Sequence, residues 1–222
     1  MKRTATASAL AIAAITGPAW AELTPQQVWD DFEAYLQGFG YELTATEVME
    51  GSSLVVTDMT MVVPIPEEDG AVRIVMPTMT FAEAGEGGVS VTYPEVGDMT
   101  VFIVEGGETV GEVVLEMSQS DFEMLVTGAP DDMSYAYSGE RIGFELTRVY
   151  SHEDDEEIPR DVVSFDMSMG PIDGTSQVSK ADGMRSIAQD VALGTLSFDL
   201  SGGDPDSDEG GMLSMQLTGV TT

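Results

Sequence analysis

Carboxylates at alternate positions can converge on one hard cation, and Asp204, Asp206 and Asp208 have that spacing within Asp204-Pro205-Asp206-Ser207-Asp208-Glu209-Gly210. The likeness to the first half of an EF-hand loop stops there. Glu209 stands where the turn glycine belongs, Met215 where the bidentate glutamate belongs, and Pro205 stiffens the run. The expectation is a solvated hairpin loop, with the three aspartates a weak Ca²⁺ candidate. The only histidine, His152, precedes five carboxylates, Glu153 to Glu157. One imidazole does not build a zinc site, which wants several N or S ligands, so a charged loop is expected. Met59-x-Met61 and Met167-x-Met169 place paired thioethers on a strand face, a geometry suited to Cu(I). Counted at a period of two they fall in phase with Val55, Val63, Val163 and Phe165, which makes them core.

Enzymatic chemistry finds less. With no cysteine and the sole histidine in an acidic run, no nucleophile has a base, and neither a Gly-x-Ser-x-Gly elbow nor a phosphate loop occurs. Among 40 acids, any carboxylate pair is uninformative without geometry. Beyond the N-terminus the basic residues are Arg73, Arg141, Arg148, Arg160, Lys180 and Arg185, with no clustering that suggests an anion site. No catalytic residue, no cofactor and no metal site is therefore expected, and the protein is read as a non-enzyme.

Charge sets the partners. The 222-residue chain has a net charge of −32. Residues 1–21 hold two of the eight basic residues and none of the acids, which leaves −34 for the remainder. Such a field repels nucleic-acid phosphates and anionic head groups, so nucleic acid is excluded as a partner. Solubility in a salty medium accounts for the acidity more simply than a cationic partner does.

The N-terminus resembles a secretory signal. Lys2 and Arg3 precede the apolar run Ala5–Ile15, Gly17-Pro18 breaks it, and Ala19-Trp20-Ala21 offers the small-x-small cleavage pattern, so cleavage is predicted after Ala21. The run is about half the ~20 residues that span a bilayer, and no later segment reaches that length without charges, so an integral membrane protein is not expected. A periplasmic location follows. Absence of cysteine removes both a lipid-attachment site and disulfides.

The elements behind these residues are one helix and many strands. Thr24-Pro25-Gln26-Gln27 combines an N-cap, a proline at the first helical position and a glutamine placed to close a capping box. Val28, Trp29, Phe32, Tyr35, Leu36 and Phe39 form an apolar stripe, with Gln26, Asp30, Glu33 and Gln37 opposite and Gly38 and Gly40 at the end. From Tyr41 the period becomes two. Residues 89–93, 142–147, 163–169, 196–201 and 213–218 each alternate apolar with polar, as antiparallel strands with one buried and one wet face do. Turn signals fall at Asp69-Gly70, Gly85 to Gly88, Gly106-Gly107, Ser138-Gly139, Asp173-Gly174, Gly202-Gly203 and Gly210-Gly211. Roughly ten to thirteen strands are predicted. Pro64, Pro66 and Pro77 suggest edges or bulges. Ser179–Leu193 fits either period and is taken as a strand with a loop before it. Ser164-Phe165-Asp166-Met167-Ser168 recurs as Ser197-Phe198-Asp199-Leu200-Ser201, an echo consistent with a meander.

Ala19-Trp20-Ala21, Thr24 to Trp29, Tyr35-Leu36, Phe39-Gly40-Tyr41-Glu42, Val62 to Gly70 and Met133-Ser134-Tyr135-Ala136-Tyr137 follow one another in order. In this the chain resembles an uncharacterised family of exported alphaproteobacterial proteins known as domain of unknown function 2125. The resemblance is best in the N-terminal half and diffuse after about Asp154. It implies export and β-architecture. No activity is assigned to that family, so it transfers no catalytic residue. Its longer members carry a second β-rich half, which leaves open that this chain is the N-terminal half of a longer architecture.

The expected architecture is mainly β. An antiparallel meander forms a curved open sheet or sandwich over residues 22–222, with the N-terminal helix packed on it. The expected role is a non-enzymatic periplasmic binding or envelope-interaction module whose curved sheet cups an apolar ligand such as a lipid chain. The alternative is a structural or surface-assembly protein of the envelope, meeting other envelope proteins. An outer-membrane barrel fits worse, because aromatic residues are only 7% and the C-terminus lacks a terminal aromatic.

Overall fold

The computed structural model describes residues 22–65, 69–203 and 210–221. The predicted signal, Pro66 and the aspartates 204, 206 and 208 lie outside these.

The helix α1 (Pro25–Gly38) begins as its sequence dictates. Thr24 Oγ1 accepts from the Gln27 backbone N–H while the Gln27 side chain accepts from the Thr24 N–H, the reciprocal pair of a capping box. Gly40 follows the helix at φ +83°, a left-handed conformation that glycine adopts without strain. The strands are β1 (Glu42–Glu50), β2 (Ser53–Ile65), β3 (Gly70–Val75), β4 (Met79–Ala84), β5 (Gly88–Thr92), β6 (Val96–Glu105) and β7 (Glu108–Ser120). They continue as β8 (Glu123–Ala129), β9 (Asp132–Gly139), β10 (Arg141–Ser151), β11 (Glu156–Ile158), β12 (Val163–Ala181), β13 (Met184–Gly203) and β14 (Gly210–Thr221). All belong to one antiparallel sheet. No helix among the described residues is long and apolar enough to cross a membrane.

The sheet is a meander of long strands, several of them broken once. β3–β4, β5–β6, β7–β8 and β9–β10 are each one strand interrupted at residues 76–78, 93–95, 121–122 and 140. In β2 the corresponding irregularity is a bulge at Asp58 (φ 52°), and in β12 it is Gly170-Pro171. The register sets these breaks opposite one another. Val75 pairs with Thr60 and Met79 with Val56, Arg141 with Ser120 and Ser138 with Glu123, Ile172 with Gly139 and Met169 with Ile142. A line of bulges therefore crosses the sheet and divides it into two halves, bulges being where strands bend.

Among the described residues only the first half, which holds β4, β5, β8, β9 and the 172–181 part of β12, carries a compact core. Val28 and Trp29 of α1 pack with Leu54, Val56, Met79, Phe81, Val89, Val91, Val126 and Met133, all nearly sealed from solvent. Burial of each such side chain contributes about 1.5–3 kcal/mol. In the second half, which holds β3, β6, β7 and β10, Val114 and Leu146 are the only buried apolar residues among those described.

Several expectations need correction. The fourteen strands among the described residues exceed the predicted ten to thirteen because bulges split long strands. Asp173-Gly174 is not a turn but the middle of β12; a Cβ at Gly174 would lie 2.8 Å from the Tyr137 ring, so this glycine makes room for its cross-strand neighbour. Ser179–Leu193 holds no long loop, since Asp182 (φ 54°) and Gly183 (φ 74°) form a two-residue hairpin turn between β12 and β13. The bulge at Asp58 shifts the phase of β2, so Met59 lies with Leu54 and Val56, not Val55. Met59 is fully buried as core and Met61 packs against it. β14 has no buried face, for Leu213, Met215 and Leu217 are all exposed. The serine-flanked echo is borne out. Ser164 pairs with Ser201 and Ser168 with Ser197, and the Phe165 and Phe198 rings meet at 5.4 Å.

Candidate functional site

A cavity of about 310 Å³ lies between α1 and the first half of the sheet. Val28 and Phe32 line it from the helix, Met79, Phe81 and Val91 from β4 and β5, and Met124, Val178 and Ile187 from β8, β12 and β13. The walls are mostly aliphatic or aromatic; Asp31, Tyr135 and Arg185 form a polar end, and farther along the strands Gln189 Nε2 donates to Ser176 Oγ at 3.2 Å.

That polar end is organised around Asp31. Its residue is 1% exposed, which no isolated carboxylate tolerates. Arg185 donates to both carboxylate oxygens at 2.8 Å, Tyr135 OH donates to Oδ2 at 2.9 Å, and Lys180 Nζ pairs with Oδ1. Burial pushes the Asp31 carboxyl up, but the hydrogen bonds from Arg185, Lys180 and Tyr135 outweigh it and hold it below its usual range. Burial, then the adjacent Asp31 charge, raises the Tyr135 phenol. Tyr93, also on the cavity wall, is pushed up to about 12 by burial alone. The Arg185 guanidinium also lies 4.7 Å over the Tyr35 ring.

The hairpin explains the convergence. Across its tight turn Lys180 pairs directly with Arg185, which sets both cations beside Asp31, some 150 residues earlier in the chain. The expectation that the basic residues do not cluster is thus corrected for Lys180 and Arg185. The only sequence signal was Asp182-Gly183, the dipeptide of a two-residue hairpin. Asp31 itself was legible only as an acid inside an apolar helix stripe.

The other candidates stay apart. His152 Nε2 stands 3.7 Å from Glu112 Oε2 and its ring packs on Tyr150, while Asp154 and Asp155 turn to Ser151 and Tyr150. Arg148 pairs with Glu112, Arg160 with Glu145, and Arg73 stacks on Phe102. Among the described residues no cluster of three or more histidines and carboxylates forms a metal site. A wider groove of about 530 Å³ on the opposite face of the sheet runs over Ser90, Thr92, Ala136, Ser138 and Thr175.

Compared with known proteins, the chain matches no family model, no curated protein and no solved structure.

Proposed function

We propose that this is a non-enzymatic, periplasmic binding module that holds an apolar or lipid ligand between its helix and its sheet. The observation that carries the reading is the apolar cavity of about 310 Å³, a size at the lower end of small-molecule sites. The pocket is partly open to the surface, and its apolar lining, Phe32, Phe81 and Met124 among it, is surface that a ligand would remove from water. The proposed export is supported by the signal-like N-terminus, Lys2 to Ala21, and by the resemblance to an exported family, neither of which carries chemistry. Native mass spectrometry of protein taken from a periplasmic fraction without detergent tests the reading. A bound mass of lipid size is expected. A clean ligand-free mass that added dodecanol and dodecanoate leave unchanged overturns it.

A second reading, envelope assembly, is favoured by β14. This edge strand has no charged residue in a chain otherwise rich in carboxylates, and Met212, Leu213, Met215 and Leu217 are all exposed on it. It is the edge at which a second copy meets the fewest opposing carboxylates, and unprotected edges recruit strands. Sedimentation velocity over a hundredfold concentration range decides. Dimers abolished by Leu213→Lys support it, and a monomer throughout removes it.

A further inference from the structure

The charged groups at the polar end of the cavity are committed to one another. Asp31 accepts from Arg185 twice, from Lys180 and from Tyr135, and Arg185 Nε is sealed. Carboxylates flank the two cations, since Lys180 N–H donates to the Asp131 carbonyl, Ser179 pairs with Asp132, and Asp182 lies in the turn between Lys180 and Arg185. The uncharged polar groups of the lining are not committed in this way. Tyr93 and Tyr137 both line the cavity, and neither phenol has a hydrogen-bond partner among the described residues. The described polar side-chain atoms that are sealed without a partner are Trp29 Nε1, Arg73 Nε and Arg185 Nε, so the two phenol oxygens stay accessible. Ser176, 7% exposed and also on the lining, accepts from Gln189 but has no acceptor for its own proton among the described residues. Exchanging the O and N of the Gln189 amide still leaves a free donor in this pair. The register aligns these groups. Tyr137 pairs with Met124 on one side and Gly174 on the other, Ser176 is two residues beyond Gly174, and Tyr93 is two residues beyond Val91, the partner of Met124. Residues two apart share a face, so Ser176, Tyr137 and Tyr93 follow one another along the helix-facing side. Hydroxyls so far removed from water ordinarily find partners.

We propose that the cavity takes an uncharged single-chain amphiphile, whose neutral oxygen accepts a hydrogen bond from the hydroxyls of Ser176, Tyr137 or Tyr93 and whose chain lies against Phe32, Phe81 and Met124. This rests on the binding reading above and names its ligand class. About ten water volumes of space suit one alkyl chain better than two. An anionic head would enter against a net charge of −32 and meet no uncommitted cation. A cationic head would find Asp31 already accepting four contacts. Burying either charge without a partner costs far more than burying an alcohol or a ketone that is hydrogen-bonded. A neutral oxygen takes up a free hydroxyl proton and leaves the ion cluster as it is.

The test compares decanol, 2-decanone, decanoate and decylammonium by isothermal titration on detergent-free protein. In 0.5 M NaCl the field of the whole chain is screened, so the heads are compared on their contacts in the cavity. Wild type is expected to bind the alcohol and the ketone at least about fivefold tighter than either ion. Tyr93→Phe, Tyr137→Phe and Ser176→Ala each remove one oxygen and no carbon, so packing is kept. At least one of them should weaken decanol and 2-decanone by about two- to tenfold, the net worth of one hydrogen bond, and the one that does so locates the oxygen. Binding of either ion as tightly as decanol overturns the inference and leaves the binding reading standing. A preference for the neutral heads that survives all three substitutions overturns the assignment to these hydroxyls. Binding of none of the four overturns both this inference and the binding reading.

Discussion

Replacing Asp31 with asparagine removes the charge that ties helix to hairpin and keeps the shape. Its carboxylate is sealed, whereas the side chains of Lys180 and Arg185 remain 34% and 24% exposed. Breaking a buried ion pair by deleting one partner costs about 3–5 kcal/mol. Because both cations reach water, the loss is discounted below that range, to about 2–4 kcal/mol. For a domain of this size each kcal/mol moves the Tm by about 2–4 °C, so the midpoint should fall by roughly 5–15 °C. Urea unfolding followed by tryptophan fluorescence measures it, since Trp29 packs in the core two residues from Asp31. A midpoint shift at unchanged slope reports stability alone. The loss should persist in 0.5 M NaCl, because a sealed pair is screened little. A double-mutant cycle with Arg185→Gln should return a coupling of more than about 1 kcal/mol. A loss below about 0.5 kcal/mol, or one erased by salt, would mean that the cluster behaves as an ordinary surface ion pair, and the reasoning would fail.

Two other outcomes follow from the same structure. Acid should weaken the protein through Asp31. Its folded carboxyl titrates below the ordinary 3.8, so its contribution is complete above that pH and is lost as pH falls through the folded value. The stability gap between wild type and Asp31→Asn, from urea midpoints, should therefore be constant from pH 7 to 5 and close below 3.8, and a gap that widens in acid refutes the assignment. The two halves of the sheet should also respond differently to truncation. Phe81→Ala should cost about 3–5 kcal/mol, whereas Leu213→Ala should stay within about 0.5 kcal/mol, as expected of an exposed strand. Equal losses would mean that the second half has a core of its own.

Local sequence determined much of this protein. The capping box at Thr24 and Gln27, the helix stripe and the buried-and-wet alternation in 89–92 are short-range patterns whose physics acts within a few residues; 142–147 and 163–169 are strands as expected, but in 163–169 serines and apolar residues alike are half-buried. The paired serines at 164, 201, 168 and 197 were legible for the same reason, because a meander sets sequence neighbours side by side. Tertiary structure decided the rest. One extra residue at Asp58 reversed the faces of β2 relative to a strict count, since the side-chain period is two. Alternation in Leu213, Met215 and Leu217 matched that of any half-buried strand, yet burial depends on what covers a face, and nothing among the described residues covers β14. The site was the least legible part. Asp31, Tyr135, Lys180 and Arg185 become a unit only when the sheet brings the β12–β13 hairpin against α1, and a low-dielectric contact between residues so far apart in the chain leaves no periodicity to read.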